Sequence, residues 1–158
     1  MKQMQITVSV TEYPLDELSA ERRELVELAR KYTHNSYAPY SHFCVGAAIR
    51  LDNGEIVCGA NQENAAFPSG TCAERSACYS AGARFPGAAF ECIAIAARGV
   101  DGEPTAVPCA PCGACRQALL EYETLAGHDV EVILVGRDKV YVLPSVKSLL
   151  PLAFTDLG

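Results

Sequence analysis

Lysines and arginines never run beyond adjacent pairs in this chain, and acids outnumber bases. Against 13 Lys and Arg stand 19 Asp and Glu, a formal net charge of −6. That balance excludes the positive footprint with which a nucleic-acid binder neutralises phosphates. No stretch approaches the roughly 18 consecutive apolar residues of a membrane span, so no membrane partner is expected. The opening MKQMQITVSVTEY has neither the apolar core nor the small-residue cleavage site of a secretory leader, and the sequence reads as cytoplasmic. Repeats, low-complexity tracts and interdomain linkers are also missing. Residues 1–158 therefore read as one domain, long enough to bury a core without staples.

Cysteine, by contrast, is plentiful: eight residues, Cys44, Cys58, Cys72, Cys78, Cys92, Cys109, Cys112 and Cys115. An even count suits disulfides in a secreted chain. Without a leader, these cysteines read as reduced thiols, some of them available as metal ligands.

Hydrophobic periodicity sets the elements. Residues 1–18 read as an irregular or extended lead-in. Ser19 is placed to cap a helix over about 20–33, with Leu25, Leu28, Ala29 and Tyr32 on one face. Residues 42–51 and 55–60 are β-like, and the Asn53-Gly54 pair between them predicts a hairpin with a type I′ turn. The Ala-rich stretch 72–84 reads as a buried helix, 91–97 as an apolar strand, 113–123 as a helix and 130–135 as a strand. Only four residues separate Val135 from Val140, too few for a parallel crossover, so strand 139–143 runs antiparallel to 130–135 if the two pair. Residues 145–150 suggest a short terminal helix before a tail over 151–158. The sum is a three-layer α/β/α arrangement, a mixed five-stranded sheet with helices on its faces.

The chemistry concentrates at two of those helix starts. Cys112 and Cys115, three apart in Pro111-Cys112-Gly113-Ala114-Cys115, put both sulfurs on one face of a helix. Cys72 enters the other helix in Thr71-Cys72-Ala73-Glu74-Arg75. Helix N-termini favour anions, so these thiols ionise readily. Three thiolates with one open position describe a catalytic zinc site, since a structural site closes with a fourth protein ligand. Glu74 lies two residues past Cys72, and a non-helical Cys72 lets both side chains converge. Cys109 sits at the same three-residue spacing, but Pro111 separates it from the helix and it is expected to be a non-ligand. Cys44, Cys58, Cys78 and Cys92 read as buried structural thiols. His34, His42 and His128 lack a ligand spacing and read as surface or loop residues.

CAER at 72–75 followed by PCGACRQ at 111–117 resembles the cytidine deaminase family in its small Cys₃ form. From about Tyr37 to Phe154 the chain is similar to that family. Tyr40-Ser41-His42-Phe43-Cys44-Val45-Gly46 resembles its first-strand motif, Asn61-Gln62-Glu63-Asn64-Ala65 its N-x-E-N-A segment, and Leu149-Leu150-Pro151-Leu152-Ala153-Phe154 its C-terminal LLPxxF.

The resemblance implies hydrolytic deamination of cytidine and 2′-deoxycytidine, one Zn²⁺ per chain held by Cys72, Cys112 and Cys115, and Glu74 as proton shuttle. It implies that Phe43 packs on base and sugar, and that Asn61 and Glu63 bind the sugar 3′-hydroxyl. Backbone groups near Ala73, Ala110 and Cys112 hold the pyrimidine edge, and Arg75 hydrogen-bonds the cysteine sulfurs. A homotetramer is implied too, with Phe154 entering a neighbour's site. Phe67 stands where many members carry Tyr, so any polar role of that position is missing here.

Three rivals share part of these signals. A blasticidin-S type or other aminopyrimidine deaminase would share C-x-E and PCGxC; Arg75, the Asn61/Glu63 pair and Phe154 favour the nucleoside. A polynucleotide-editing deaminase fits poorly with the acidic charge and the short turn 136–139. A zinc-stabilised interaction module would need neither Glu74 nor an open metal position. Preference between cytidine and deoxycytidine is not encoded in these motifs.

Overall fold

A computed structural model describes residues 1–155. In chain order the elements are β1 (Thr11–Pro14), α1 (Ala20–Tyr32), β2 (Cys44–Leu51), β3 (Ile56–Ala60), α2 (Ala73–Arg84), β4 (Phe90–Arg98), α3 (Gly113–Ala126), β5 (Glu131–Val135) and β6 (Lys139–Leu143). A short helix, Val146–Leu149, precedes the tail. The last three residues of the expected tail 151–158 lie outside the described residues.

Alternation along the strands sorts side chains onto two faces of one sheet. Ala47, Ile49, Ile93, Ile95, Val132 and Leu134 pack with α2 and α3 on one side. Ala48, Ala94, Ala96, Ile133 and Val135 meet Leu25, Val26 and Ala29 of α1 on the other. The two cores flank the sheet and make the expected three layers. Local chemistry bounds the helices: Ser19 accepts the N–H of Arg22 at the start of α1. Gly127, at φ 71°, ends α3 in the left-handed conformation that glycine adopts without strain.

Strand order is β1-β6-β5-β4-β2-β3. Only β4 and β5 run parallel; β5 and β6 pair antiparallel, as the short connection requires. The sheet has six strands rather than the expected five. The extra one is β1, within the lead-in, which pairs antiparallel with β6 from Thr11↔Val142 to Pro14↔Lys139. Pro14 sits at the end of an edge strand, where its missing N–H costs no ladder bond.

The β2–β3 hairpin forms as expected, with a different turn. Asn53 does not take a positive φ; Gly54 does, at 84°. Gly54 N–H donates to Leu51 O at 3.0 Å, and Leu51 N–H to Glu55 O at 2.9 Å. This is a three-residue loop closed by a left-handed glycine rather than a two-residue type I′ turn.

One glycine seats the site. A Cβ at Gly59 of β3 would lie 2.5 Å from Ala77 N and 2.6 Å from Ala73 O. The first turn of α2 therefore rests directly on the backbone of β3, which fixes the height at which Cys72 and Glu74 emerge.

Candidate active site

Two helix N-termini meet at one point. Cys72 is the N-cap of α2, with extended angles φ −76° and ψ 158°, and Cys112 is the N-cap of α3, at φ −67° and ψ 165°. Neither sulfur caps its own helix, so both turn away from the axis. Cys115, in the first turn of α3, is buried, Cys72 is half-buried and Cys112 is exposed. The sulfurs of Cys112 and Cys115 lie 3.5 Å apart. All three thiols fall within 4.8 Å of one another, and no fourth ligand-bearing side chain joins the cluster among the described residues. Cys109 is outside it. The extended Cys72 allows what a continuous helix would not, ligand and Glu74 on the same side.

The thiols are poised for a cation. A hydrogen bond from the Cys115 thiol, helped by the guanidinium of Arg75, holds Cys72 down to about 5. The donor in that bond, Cys115, is pushed up by the same contact and by burial. A divalent ion could take the place of the shared proton. Three sulfurs with an open fourth position suit zinc, which is borderline-soft and tetrahedral. Two helix N-termini add to the stabilisation of the thiolates.

Glu74 is 4% exposed. Burial pushes its carboxyl above the usual carboxylate range, and the negative Cys72 beside it adds to the push. A buried carboxyl with a raised pKa can hold and release a proton nearer neutrality than an ordinary glutamate. Arg75 Nη2 approaches Cys72 Sγ at 3.8 Å, while its Nε is buried without a partner.

Beside the thiol cluster opens a cavity of about 480 Å³, within the range of small-molecule sites. Its walls include Asn61, Glu63, Cys72 and Arg75, together with Tyr40 and Phe67. Tyr40 and Phe67 meet edge to face, ring centroids 5.9 Å apart. Nothing local along the chain pairs them, although an aromatic in the polar loop 61–71 was a signal. Phe43, Ala73, Glu74 and Phe154 are not wall residues of this cavity. Phe43 is half-buried at the mouth of β2, Ala73 is fully buried under the first turn of α2, and Phe154 is 64% exposed on the tail.

Asn61 and Glu63 do local work as well. Asn61 Oδ1 accepts from Val45 N–H at 2.7 Å and Ser36 Oγ at 2.6 Å, and its Nδ2 donates to Phe43 O at 2.9 Å. One amide hydrogen remains to meet a ligand. Glu63 accepts from the N–H groups of Tyr40, at 2.9 Å, and Ser41, at 3.2 Å, and from the Ser41 hydroxyl. The hydroxyl, then the Tyr40 N–H, hold the Glu63 carboxyl below the ordinary range. Ser36 and Ser41, which sequence reasoning passed over, thus fix the two polar residues of the cavity.

His34, His42 and His128 are exposed, as expected. Cys78 and Cys92 are buried, and Cys44 and Cys58 half-buried. Among the described residues, no helix is long and apolar enough to cross a membrane.

Residues 19–126 match the family model described as the cytidine and deoxycytidylate deaminase zinc-binding region. A cytidine deaminase of Halalkalibacterium halodurans is 38% identical over 138 residues, 85% of this chain and 95% of that protein. One from Sporosarcina psychrophila is 35% identical over 135 residues, 84% of this chain and 90% of that protein. Among solved structures, the cytidine deaminase of Burkholderia pseudomallei is 40% identical with a TM-score of 0.72, covering 87% of this chain and 100% of that one. That of Mycobacterium tuberculosis is 29% identical with a TM-score of 0.69, covering 87% and 100%. The match spans both helix starts that carry the thiols and the carboxyl between them, and the chain belongs to the cytidine and deoxycytidylate deaminase family.

Proposed function

We propose that this chain is a zinc-dependent hydrolase that converts cytidine and 2′-deoxycytidine to uridine and 2′-deoxyuridine with release of ammonia. The observation that carries the reading is the cluster of Cys72, Cys112 and Cys115 with buried Glu74 two residues beyond the first ligand. One Zn²⁺ per chain sits on the three thiolates. When bound, it acts as a Lewis acid and brings the acidity of a water toward neutrality.

The chain's own residues do the rest. Glu74 takes a proton from the attacking water and gives it to ring N3 as oxygen adds at C4. It then carries the remaining proton from the new C4 hydroxyl to the exocyclic nitrogen, C4=O forms as the C4–N bond breaks, and ammonia leaves. A carboxyl with a raised pKa suits both directions of transfer. Arg75 donates to Cys72 Sγ and draws charge from the ligand. Without it, three thiolates would leave a net negative centre and a weak Lewis acid.

The same reading assigns the sugar 3′-hydroxyl to Asn61 and Glu63, the base to Phe43, and the pyrimidine edge to the backbone near Ala73. The remaining amide hydrogen of Asn61 and the unfilled lone pairs of Glu63 supply the bonds. Phe154 packs on the base in a neighbouring subunit of a homotetramer. The high exposure of that ring in one protomer supports this assignment. The reading makes the protein a cytoplasmic enzyme acting on free nucleosides, with no nucleic acid or membrane as partner.

The test is an ultraviolet assay of the zinc-loaded protein on cytidine, deoxycytidine, cytosine, CMP, adenosine and blasticidin S. Turnover of the two nucleosides is expected. Turnover of blasticidin S with the nucleosides untouched would move the protein to the rival class, and no turnover of any would leave an interaction module.

A further inference from the structure

Three side chains of α3 hold the C-terminal stretch. Glu123 Oε2 accepts the N–H of Val146 at 2.6 Å and of Val130 at 2.9 Å, while Oε1 accepts that of Lys147 at 3.1 Å. Two turns earlier on the helix, Arg116 Nη1 donates to Leu149 O at 2.6 Å. Acid thus meets the free N–H groups at one end of the short helix Val146–Leu149, and guanidinium meets a carbonyl at the other. The later residue of α3 touches the earlier residue of the short helix, so the two run antiparallel. The chain beyond Leu149 therefore heads toward the start of α3, where Cys112 and Cys115 sit. Gln117 Nε2 takes hold there, donating to Phe154 O at 2.8 Å.

Arg116 has a second partner. Its Nε donates to Pro111 O at 2.9 Å. Pro111 is buried and directly precedes the thiol ligand Cys112. Proline has no N–H, so this carbonyl is its only main-chain hydrogen-bonding group. One planar fork thereby fixes the loop that delivers a ligand and the root of the tail in a single geometry. Among the described residues, no carboxylate forms an ion pair with Arg116.

We propose that Arg116 is a positioning residue that couples the seat of Cys112 to the placement of the C-terminal tail. One side chain governs both retention of the metal and presentation of Phe154. The second half rests on the reading that Phe154 packs on the base in a neighbour's site; the first half does not.

The experiment compares Arg116→Ala, Arg116→Lys, Gln117→Ala and Phe154→Ala, each zinc-loaded. Two readouts are taken, the rate of zinc release to a colorimetric chelator, and kcat and KM for cytidine. Arg116→Ala is expected to release zinc about ten- to a hundredfold faster. Its KM is expected to rise about tenfold, with kcat falling less. Gln117→Ala, which loses only the tail bond, should raise KM and release zinc at the parental rate. Arg116→Lys keeps the charge without the fork, and should restore at most one readout; full rescue of both would overturn the fork argument. Parental zinc release in Arg116→Ala would overturn the proposal. Faster release with unchanged KM, while Phe154→Ala raises KM, would overturn the tail half. If neither Arg116→Ala nor Phe154→Ala moves KM, the shared-site reading of Phe154 fails instead, and the metal half stands on zinc release alone. Should Arg116→Ala not fold, Arg116→Lys against Gln117→Ala gives the same comparison.

Discussion

Arg75 Nη2 stands 3.8 Å from Cys72 Sγ, across the first turn of α2. The helix itself sets this contact, because cap and third residue lie on the same side. The guanidinium faces a thiol already held down to about 5, so the pair behaves as charge against charge.

Arg75→Gln removes that charge and leaves the cap intact. The thiolates then keep more negative charge, the metal-activated water becomes a weaker acid, and its pKa rises. The acidic limb of the pH–rate profile should move upward, and the rate near neutrality should fall about ten- to a hundredfold. Since Arg75 also borders the cavity, a contrary result has a clear meaning. An unmoved limb with only KM raised identifies it as a substrate contact.

Glu74→Gln keeps the shape of the side chain and loses the proton. Turnover should fall by about 10²–10⁴-fold or more, since the proposed mechanism asks several transfers of this carboxyl. Zinc content and melting temperature should stay near the parent, because the amide fills the same buried volume. Near-normal turnover in the zinc-loaded variant would remove Glu74 from the mechanism.

The lowered pKa of Glu63 makes a stability prediction whose sign is fixed. Its carboxylate is stabilised in the fold by the Ser41 hydroxyl and the Tyr40 N–H. That stabilisation is fully present above the unfolded value of about 4.3. It disappears as pH falls through the lower folded value. Glu63→Gln should therefore melt below the parent at neutral pH, and the two curves should converge in acid. A difference that stays constant with pH would show that the carboxylate charge does not brace the 40–41 loop.

Gly59→Ala tests how the site is seated. Its methyl would meet the Ala77 N and Ala73 O main-chain atoms, which cannot rotate away. Overpacking of this kind costs about 1–3 kcal/mol. Chemical denaturation should show that loss, and activity should fall as well, because α2 can only relieve the clash by lifting Cys72 and Glu74. Unchanged stability and activity would mean that α2 has room to adjust.

What the sequence disclosed depended on distance along the chain. The thiol cluster was legible because its geometry is local: two cysteines a helical turn apart, and the third at a helix entry beside its carboxyl. The central strands were legible because each face is buried and the alternation is clean. β1 was not. Met4, Ile6, Val8 and Val10 alternate in the lead-in yet are exposed, while the paired residues are Thr11 to Pro14, with Glu12 and Pro14 among them. Pairing with β6, far along the chain, decides that strand, and local propensity does not record it. The braces on Asn61 and Glu63 were hidden for the same reason: their partners, main-chain groups and the hydroxyls of Ser36 and Ser41, lie 16 to 25 residues away. The hairpin turn was misread because both Asn53 and Gly54 can take positive φ, and only the three-residue closure selects the glycine.

Phe154 carries the last prediction. Its ring is 64% exposed although its carbonyl is fastened to Gln117, so the tail is held while the side chain is left in solvent. Burying such a ring against a neighbour's substrate is worth roughly 1.5–3 kcal/mol, and its loss should weaken binding about ten- to a hundredfold. Phe154→Ala should keep its zinc and lose activity mainly through KM. In a homotetramer with shared sites, chains carrying Phe154→Ala still supply Glu74, and chains carrying Glu74→Gln still supply Phe154. Mixed assemblies, verified by native mass spectrometry, should therefore recover activity that neither parent has. Were each site built from one chain, mixing would recover nothing beyond the weighted mean of the parents. A fully active monomer in dilute solution would end the shared-site reading by itself, since the exposed ring would then have no substrate to cover but its own.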